Sequence, residues 1–161
     1  MDSLYKLLES KNIYLEEQVY TSIGHSIDKR LKNIHITFIL DKKNEVITYG
    51  FNVFFKTDTF PYSIHSEINT ITKYYRKQFN KNLNKKSKKM VIIKISPSIK
   101  KIGLSRPCSN CANFILNNMD NMNINEILYS TKEGTLESLK KNDLLKSNEF
   151  TKSSAFRKKF K

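Results

Sequence analysis

Two short stretches hold the side chains best suited to chemistry. His65-Ser66-Glu67 sets an imidazole two residues before a carboxylate, and Pro107-Cys108-Ser109-Asn110-Cys111 sets two thiols three residues apart behind a proline. These are the chain's only cysteines, too few for a disulfide framework and spaced as in metal-binding or redox sites. One imidazole and two thiolates fill three of the four tetrahedral positions that zinc prefers, which leaves the fourth open as in a catalytic rather than a structural site. Two cysteines cannot build a closed site of four, or of three with a histidine, within one chain. Glu67 stands too far round from His65 to join it as a ligand, but it is placed to act as general acid and base on a water at the open position.

These residues meet only if the elements around them bring them together. From Ile34 to Leu40 the apolar residues alternate, Asp41-Lys42-Lys43-Asn44 reads as a turn, and Val46 to Val53 is again β-branched and aromatic, so a β-hairpin is expected. Ile64, Ile68, Ile71, Tyr75 and Phe79 form one face of a helix beginning near Ser63, with its start at or close to His65. A lysine-rich connector from Asn80 to Lys89 follows, and Met90 to Ile95 reads as a buried strand. Pro107 suits the first turn of a further helix, whose buried face is marked by Ala112, Ile115, Leu116 and Met119. Both cysteines then fall in that first turn, where the helix dipole favours thiolates. Ile124 to Ser130 reads as another strand, and Leu136, Leu139 and Leu144 suggest a last helix. An opening helix is expected from Leu4, Leu7 and Leu8, covering one side of the sheet. The order predicts an α/β fold, a mixed sheet with helices on both faces. A right-handed crossover around the strand at 90–96 would set the two site helices side by side, first turn against first turn.

The chain has 161 residues, 39% hydrophobic and 27% charged, which suits one domain able to bury its own core. No repeat or Pro/Gly-rich linker divides it, so residues 1–145 are expected to form a single domain and 146–161 a basic tail. No apolar run approaches the roughly 20 residues of a membrane span, and Met1-Asp2-Ser3 does not open a signal peptide. A soluble, cytoplasmic protein without a membrane partner is the expectation.

The formal charge of +14 is unevenly placed, for residues 68–119 carry 12 basic side chains and no acidic one. A positive field around the cysteines suits a phosphate-bearing partner, either a nucleotide or a single-stranded nucleic acid. The same excess is also what an AT-rich genome produces, given 25 Lys, 4 Arg and 17 Asn. The basic run Arg76 to Lys89, with Tyr74, Tyr75 and Phe79 nearby, offers a track for a polynucleotide backbone, although Tyr75 and Phe79 lie on the apolar stripe and suit the core.

H-x-E followed by P-C-x-x-C, with these flanking elements, resembles the cytidine deaminase-like superfamily of zinc-dependent nucleobase deaminases. The resemblance spans about residues 34 to 131 and implies a three-layer α-β-α sandwich. It implies Zn2+ held by His65, Cys108 and Cys111, with Glu67 moving protons while an activated water attacks the amino-bearing ring carbon. Gly50-Phe51-Asn52 is similar to the G-x-N that ends the second strand in the tRNA adenosine and deoxycytidylate deaminase branches, which makes Asn52 a substrate-contact candidate. Arg106, beside the cysteine motif, is a candidate for a substrate phosphate; Leu104-Ser105-Arg106-Pro107 differs from the Leu-Glu pair that precedes the proline in tRNA adenosine deaminases. His25 and His35 have no ligand-spaced partner and read as ordinary surface or strand residues. The expected function is hydrolytic deamination of cytosine to uracil in a nucleotide or nucleic acid. An adenine deaminase acting on RNA, a non-catalytic zinc protein that binds nucleic acid, and a redox C-x-x-C protein are the alternatives. The resemblance leaves open whether the protein forms a homo-oligomer.

Overall fold

The computed structural model describes residues 34–55, 62–78, 86–96 and 101–146. The expected opening helix, His25, Phe79, most of the lysine-rich connector and all but the first residue of the basic tail lie outside the described residues.

The alternation at the start of the described chain becomes β1 (Ile34–Leu40), which turns back into β2 (Val46–Phe51). Asp41 closes the turn, its Oδ1 accepting the N–H groups of Lys43 and Glu45 at 2.8 Å each, and Asn44 takes the left-handed backbone that asparagine tolerates. A short hairpin follows, β3 (Val53–Phe55) with β4 (Tyr62–Ile64), and leads into α1 (Ser66–Gln78). Next come β5 (Lys88–Ser96), β6 (Lys101–Gly103), α2 (Ser109–Met122), β7 (Ile124–Ser130), β8 (Leu136–Leu139) and the short α3 (Lys141–Leu145).

One mixed sheet runs β2-β1-β5-β7-β8, with β6 also paired to β5. Among the described strands only β5 and β7 run parallel, and α2 lies in the connection between them. Strand alternation divides the sheet's apolar residues into two sets. Ile39, Met90, Ile92 and Ile127 pack with Ile71 and Tyr74 of α1 and with Ala112, Ile115 and Met119 of α2. Ile36, Phe38, Leu40, Phe51, Val91, Ile93 and Ile102 make a second cluster on the opposite face. With both faces buried and helices packed on the sheet, this is the α/β sandwich architecture expected; the described helices all belong to the first face.

Several expectations need correction. Residues 136–139 form a strand rather than part of a last helix, because Gly134, at φ 83°, lets the chain reverse into an antiparallel hairpin with β7. Leucines three apart mimicked a helical stripe, yet Leu136 is 36% exposed while Leu139 is buried. Ile64 ends β4 opposite Val53, and the buried side of α1 is Ser66, Glu67, Thr70, Ile71 and Tyr74. Tyr74 is therefore core, not a stacking platform. Lys88 is withdrawn from the basic run: fully buried, it donates to the carbonyls of Lys86 at 2.7 Å and Met122 at 3.0 Å, and its ammonium lies 5.6 Å from the centre of the Tyr74 ring. Its charge thus completes the C-terminal end of α2.

Candidate metal centre and active site

The two helices that carry the chemistry contact each other, and each begins at a residue with a ligating side chain. The carbonyl of His65 accepts the Asn69 N–H at 3.0 Å, so His65 stands where α1 opens. Cys108 is the N-cap of α2 and its carbonyl accepts the Ala112 N–H at 2.8 Å. Pro107 therefore precedes the cap instead of lying within the first turn. A cap position directs a side chain beyond the helix end, and so His65 and Cys108 meet there, with Cys111 reaching up from the first turn of α2.

Nδ1 of His65 lies 3.2 Å from Sγ of Cys111 and 3.5 Å from Sγ of Cys108. The three potential ligand atoms all lie within 4.8 Å of one another. Zinc bonds of about 2.3 Å to sulfur and 2.0–2.1 Å to nitrogen at tetrahedral angles put sulfur and nitrogen about 3.5 Å apart. Both the spacing and the soft donor set therefore fit zinc, and Nδ1 is the imidazole atom that would face an ion held there.

The thiols share a proton unequally. Cys108 is pulled down to about 4, first by the hydrogen bond from Cys111, with His65 adding to the effect. Cys111 is pushed up because its proton is held against that thiolate and because it is buried. The hydrogen bond to Cys108 raises His65 in turn. This pairing favours a thiolate at Cys108, and metal binding displaces the proton on Cys111 together with the one His65 Nδ1 shares with Cys108.

Glu67 is 3% exposed in the first turn of α1. Burial raises its pKa, with His65 and a hydrogen bond from Ser66 acting in the opposite direction. A hydroxyl chain fixes the carboxylate: Thr37 Oγ1 lies 2.8 Å from Ser66 Oγ, which donates to Glu67 Oε2 at 3.1 Å. Thr70 ties the same turn to the sheet by donating to the carbonyls of Ser66 at 2.6 Å and Thr37 at 3.1 Å. Sequence reasoning missed Thr37 and Ser66 as supports. The signal lay in β1, where an apolar set at Ile36, Phe38 and Leu40 sends Thr37 to the helical face.

Asn52 lies just beyond β2, where its Oδ1 accepts the His35 N–H at 2.8 Å and its own N–H donates to the His35 carbonyl at 3.1 Å. Because Val53 pairs with Ile64 in an antiparallel register, Asn52 falls opposite His65. Arg106 is exposed in the loop before Cys108, and its charge acts on Tyr129. His35 is an ordinary strand residue in that it belongs to β1, yet its side chain responds to His65 and Cys108, so it lies beside the centre.

A match to a known family agrees with this donor set. A family model described as the cytidine and deoxycytidylate deaminase zinc-binding region matches residues 17–129. Comparison with curated protein sequences gave no match. Among solved structures, the chain is similar to the cytidine deaminase of Burkholderia pseudomallei, at 11% identity over 80% of this chain and 91% of that one, with a TM-score of 0.49. It is also similar to the cytidine deaminase of Mycobacterium leprae, at 10% identity over 76% and 87% of the two chains, with a TM-score of 0.44. With its family match covering most of the sequence, the chain belongs to the cytidine and deoxycytidylate deaminase zinc-binding family and is a zinc-dependent deaminase. Among the described residues, no helix is long and apolar enough to cross a membrane.

Proposed function

We propose that the protein hydrolyses the amino group of a cytosine base, in a nucleotide or a nucleic acid, to give uracil and ammonia. The observation that carries the reading is the meeting of His65 Nδ1 with two cysteine Sγ atoms beside a buried Glu67. In this reading His65, Cys108 and Cys111 hold Zn2+, which when bound supplies the Lewis acidity that makes water nucleophilic near neutral pH.

The reaction consumes one water. Its oxygen bonds to C4 of the base, the C4–N4 bond breaks, and N4 leaves as ammonia. Glu67 takes one proton from the water and delivers it to N3, then takes the second from the hydroxyl now on C4 and delivers it to the departing nitrogen. Burial suits it to both duties, since raising its pKa makes the carboxylate a stronger base toward the water and keeps the proton it has taken on the carboxyl until it is passed on. The Thr37–Ser66 chain holds Oε2 in place through these transfers. Asn52, with Oδ1 already engaged, offers its Nδ2 hydrogens to the substrate, and Arg106 at the loop edge offers a charge to a phosphate.

The test is ammonia release by the zinc-loaded protein given cytidine, deoxycytidine, their monophosphates, adenosine, single-stranded oligonucleotides and tRNA. Turnover of a cytosine substrate, lost in Glu67→Ala while zinc stays bound, supports the reading. Release from adenine alone transfers the mechanism to an adenine deaminase. Salt-sensitive oligonucleotide binding without any turnover replaces it with a zinc-containing binding protein.

A further inference from the structure

Beyond the helix ends, the sheet carries a polar row on the same face as the metal centre. Asn52 is tied to His35 by the two hydrogen bonds already given, His35 pairs with Lys94 across β1 and β5, and Lys94 pairs with Gly103 across β5 and β6. Their strand neighbours Ile36, Phe51, Ile93 and Ile102 all belong to the opposite cluster. Alternation therefore turns Asn52, His35, Lys94 and Gly103 toward the face that bears α1 and α2.

One same-face step further into the sheet are Gly50, Thr37 and Ile92. Thr37 meets Ser66, and Gly50 lies against Thr70, so the first turn of α1 covers that inner row. A same-face step is about 6.8 Å, which carries the outer row past the helix and toward the end where His65 and Cys108 stand. Electrostatics agrees: burial first, then the charge of Lys94 and that of His65, hold His35 down at about 4, while Cys108 opposes them. The row thus presents an amide, an uncharged imidazole and one ammonium.

The Lys94 stem is seated rather than loose. Gly103 lacks the Cβ that would stand 3.3 Å from Lys94 Cδ, so the chain of methylenes lies over the glycine and the side chain is half-buried. Neither register neighbour is acidic, and no acidic residue occurs anywhere from 68 to 119. An ammonium anchored beside a base-binding site, with no carboxylate in its segment, is matched by the phosphate that a nucleotide or a nucleic-acid backbone adds to a base.

We propose that Lys94 binds the substrate phosphate at the sheet end of the site, so that the protein selects phosphorylated substrates over free nucleosides. The inference rests on the cytosine deaminase reading of the same site. Its test is separable from that reading because it measures binding. The full-length, zinc-loaded protein carrying Glu67→Gln, which stops turnover, is titrated calorimetrically with cytidine, CMP and a cytosine-containing single-stranded oligonucleotide. CMP is expected to bind at least about tenfold more tightly than cytidine, as a charge-assisted contact gives. Adding Lys94→Ala should remove most of that preference, leaving at most the share that Arg106 contributes, and Lys94→Arg should keep most of it. If the oligonucleotide rather than CMP carries the Lys94-dependent gain, with affinity falling steeply as salt rises, the phosphate is that of a polymer.

Failure of both CMP and the oligonucleotide to outbind cytidine before Lys94 is changed, a preference that Lys94→Ala leaves unchanged, or no binding by any of the three ligands overturns the proposal. Ammonia release by the wild-type protein separates the two readings. Equal efficiency on cytidine, CMP and the oligonucleotide sinks the Lys94 assignment and leaves the deaminase, whereas Lys94-dependent binding with no cytosine turnover does the reverse.

Discussion

His65 Nδ1 lies 3.2 Å from Cys111 Sγ across 46 residues of sequence, and the contact exists because two helices start at the same end of one sheet. Removing one thiol should therefore empty the centre rather than weaken it, because two ligands remain where the fold supplies three. In Cys111→Ser, the zinc content of the purified protein is expected to fall from about one per chain to below about a tenth. The wild type should lose thermal stability on chelation, and the variant should show no such loss. Metal analysis and a melting curve with and without chelator check both; zinc retained at full stoichiometry in Cys111→Ser would remove that residue from the ligand set.

His35 makes folding depend on pH in one direction. Its folded pKa of about 4 lies below the ordinary 6.5, so the folded state binds the proton less well than the unfolded chain. Its contribution is present above pH 6.5 and is lost as the pH falls toward 4. The full shift corresponds to about 3 kcal/mol as an upper figure. His35→Gln should flatten the stability difference between pH 7 and pH 4.5 relative to the wild type. Urea unfolding at both pH values, with chelator present throughout so that metal release does not enter, measures it. Equal slopes in the two proteins would refute the assignment.

The parts of this molecule that were legible in sequence are those where pattern and chemistry are local. Alternation from Ile34 to Leu40, the turn at Asp41 and the C-x-x-C spacing each state their own geometry. The β3–β4 hairpin and β6 were missed because three-residue strands have no period to read. Lys88 was misassigned for a different reason: a lysine in a basic run looks solvated unless one knows that the end of α2 needs a donor there. Lys94 and His35 gained meaning only from register, which depends on pairings between strands far apart in the chain.

Gly50 is required by the approach of α1 to β2. A Cβ at this position would stand 2.6 Å from Thr70 Oγ1 and 3.0 Å from its backbone nitrogen, and that hydroxyl is fixed by its bonds to the Ser66 and Thr37 carbonyls. Neither side can yield without moving the turn that holds Glu67. Gly50→Ala is expected to cost about 1–3 kcal/mol and to lower kcat as the carboxylate shifts. Chemical denaturation and steady-state kinetics on the zinc-loaded variant check the pair of effects, and unchanged values for both would show that α1 adjusts freely.

The loop that delivers Cys108 is held by two buried serines. The Ser105 N–H donates to the Ser130 carbonyl at 2.9 Å, the Ser130 N–H returns to Ser105 Oγ at 2.8 Å, and Ser105 Oγ donates to the Ile92 carbonyl at 2.7 Å. Ser130 Oγ gives its own proton to the Gly103 carbonyl at 2.6 Å and accepts the Lys94 N–H at 3.1 Å. Each hydroxyl has one proton, and this assignment uses both. Ser105→Ala leaves the Ile92 carbonyl and the Ser130 N–H without that oxygen, which should cost about 1–3 kcal/mol of stability. Because Cys108 is three residues further on, the loosened loop should also weaken zinc by about tenfold, as loss of an outer support does at other metal sites. Competition with a chelator of known affinity measures the second effect and urea unfolding the first. A variant that loses stability but keeps its zinc affinity would mean that Pro107 and the α2 cap position Cys108 without help from the serines.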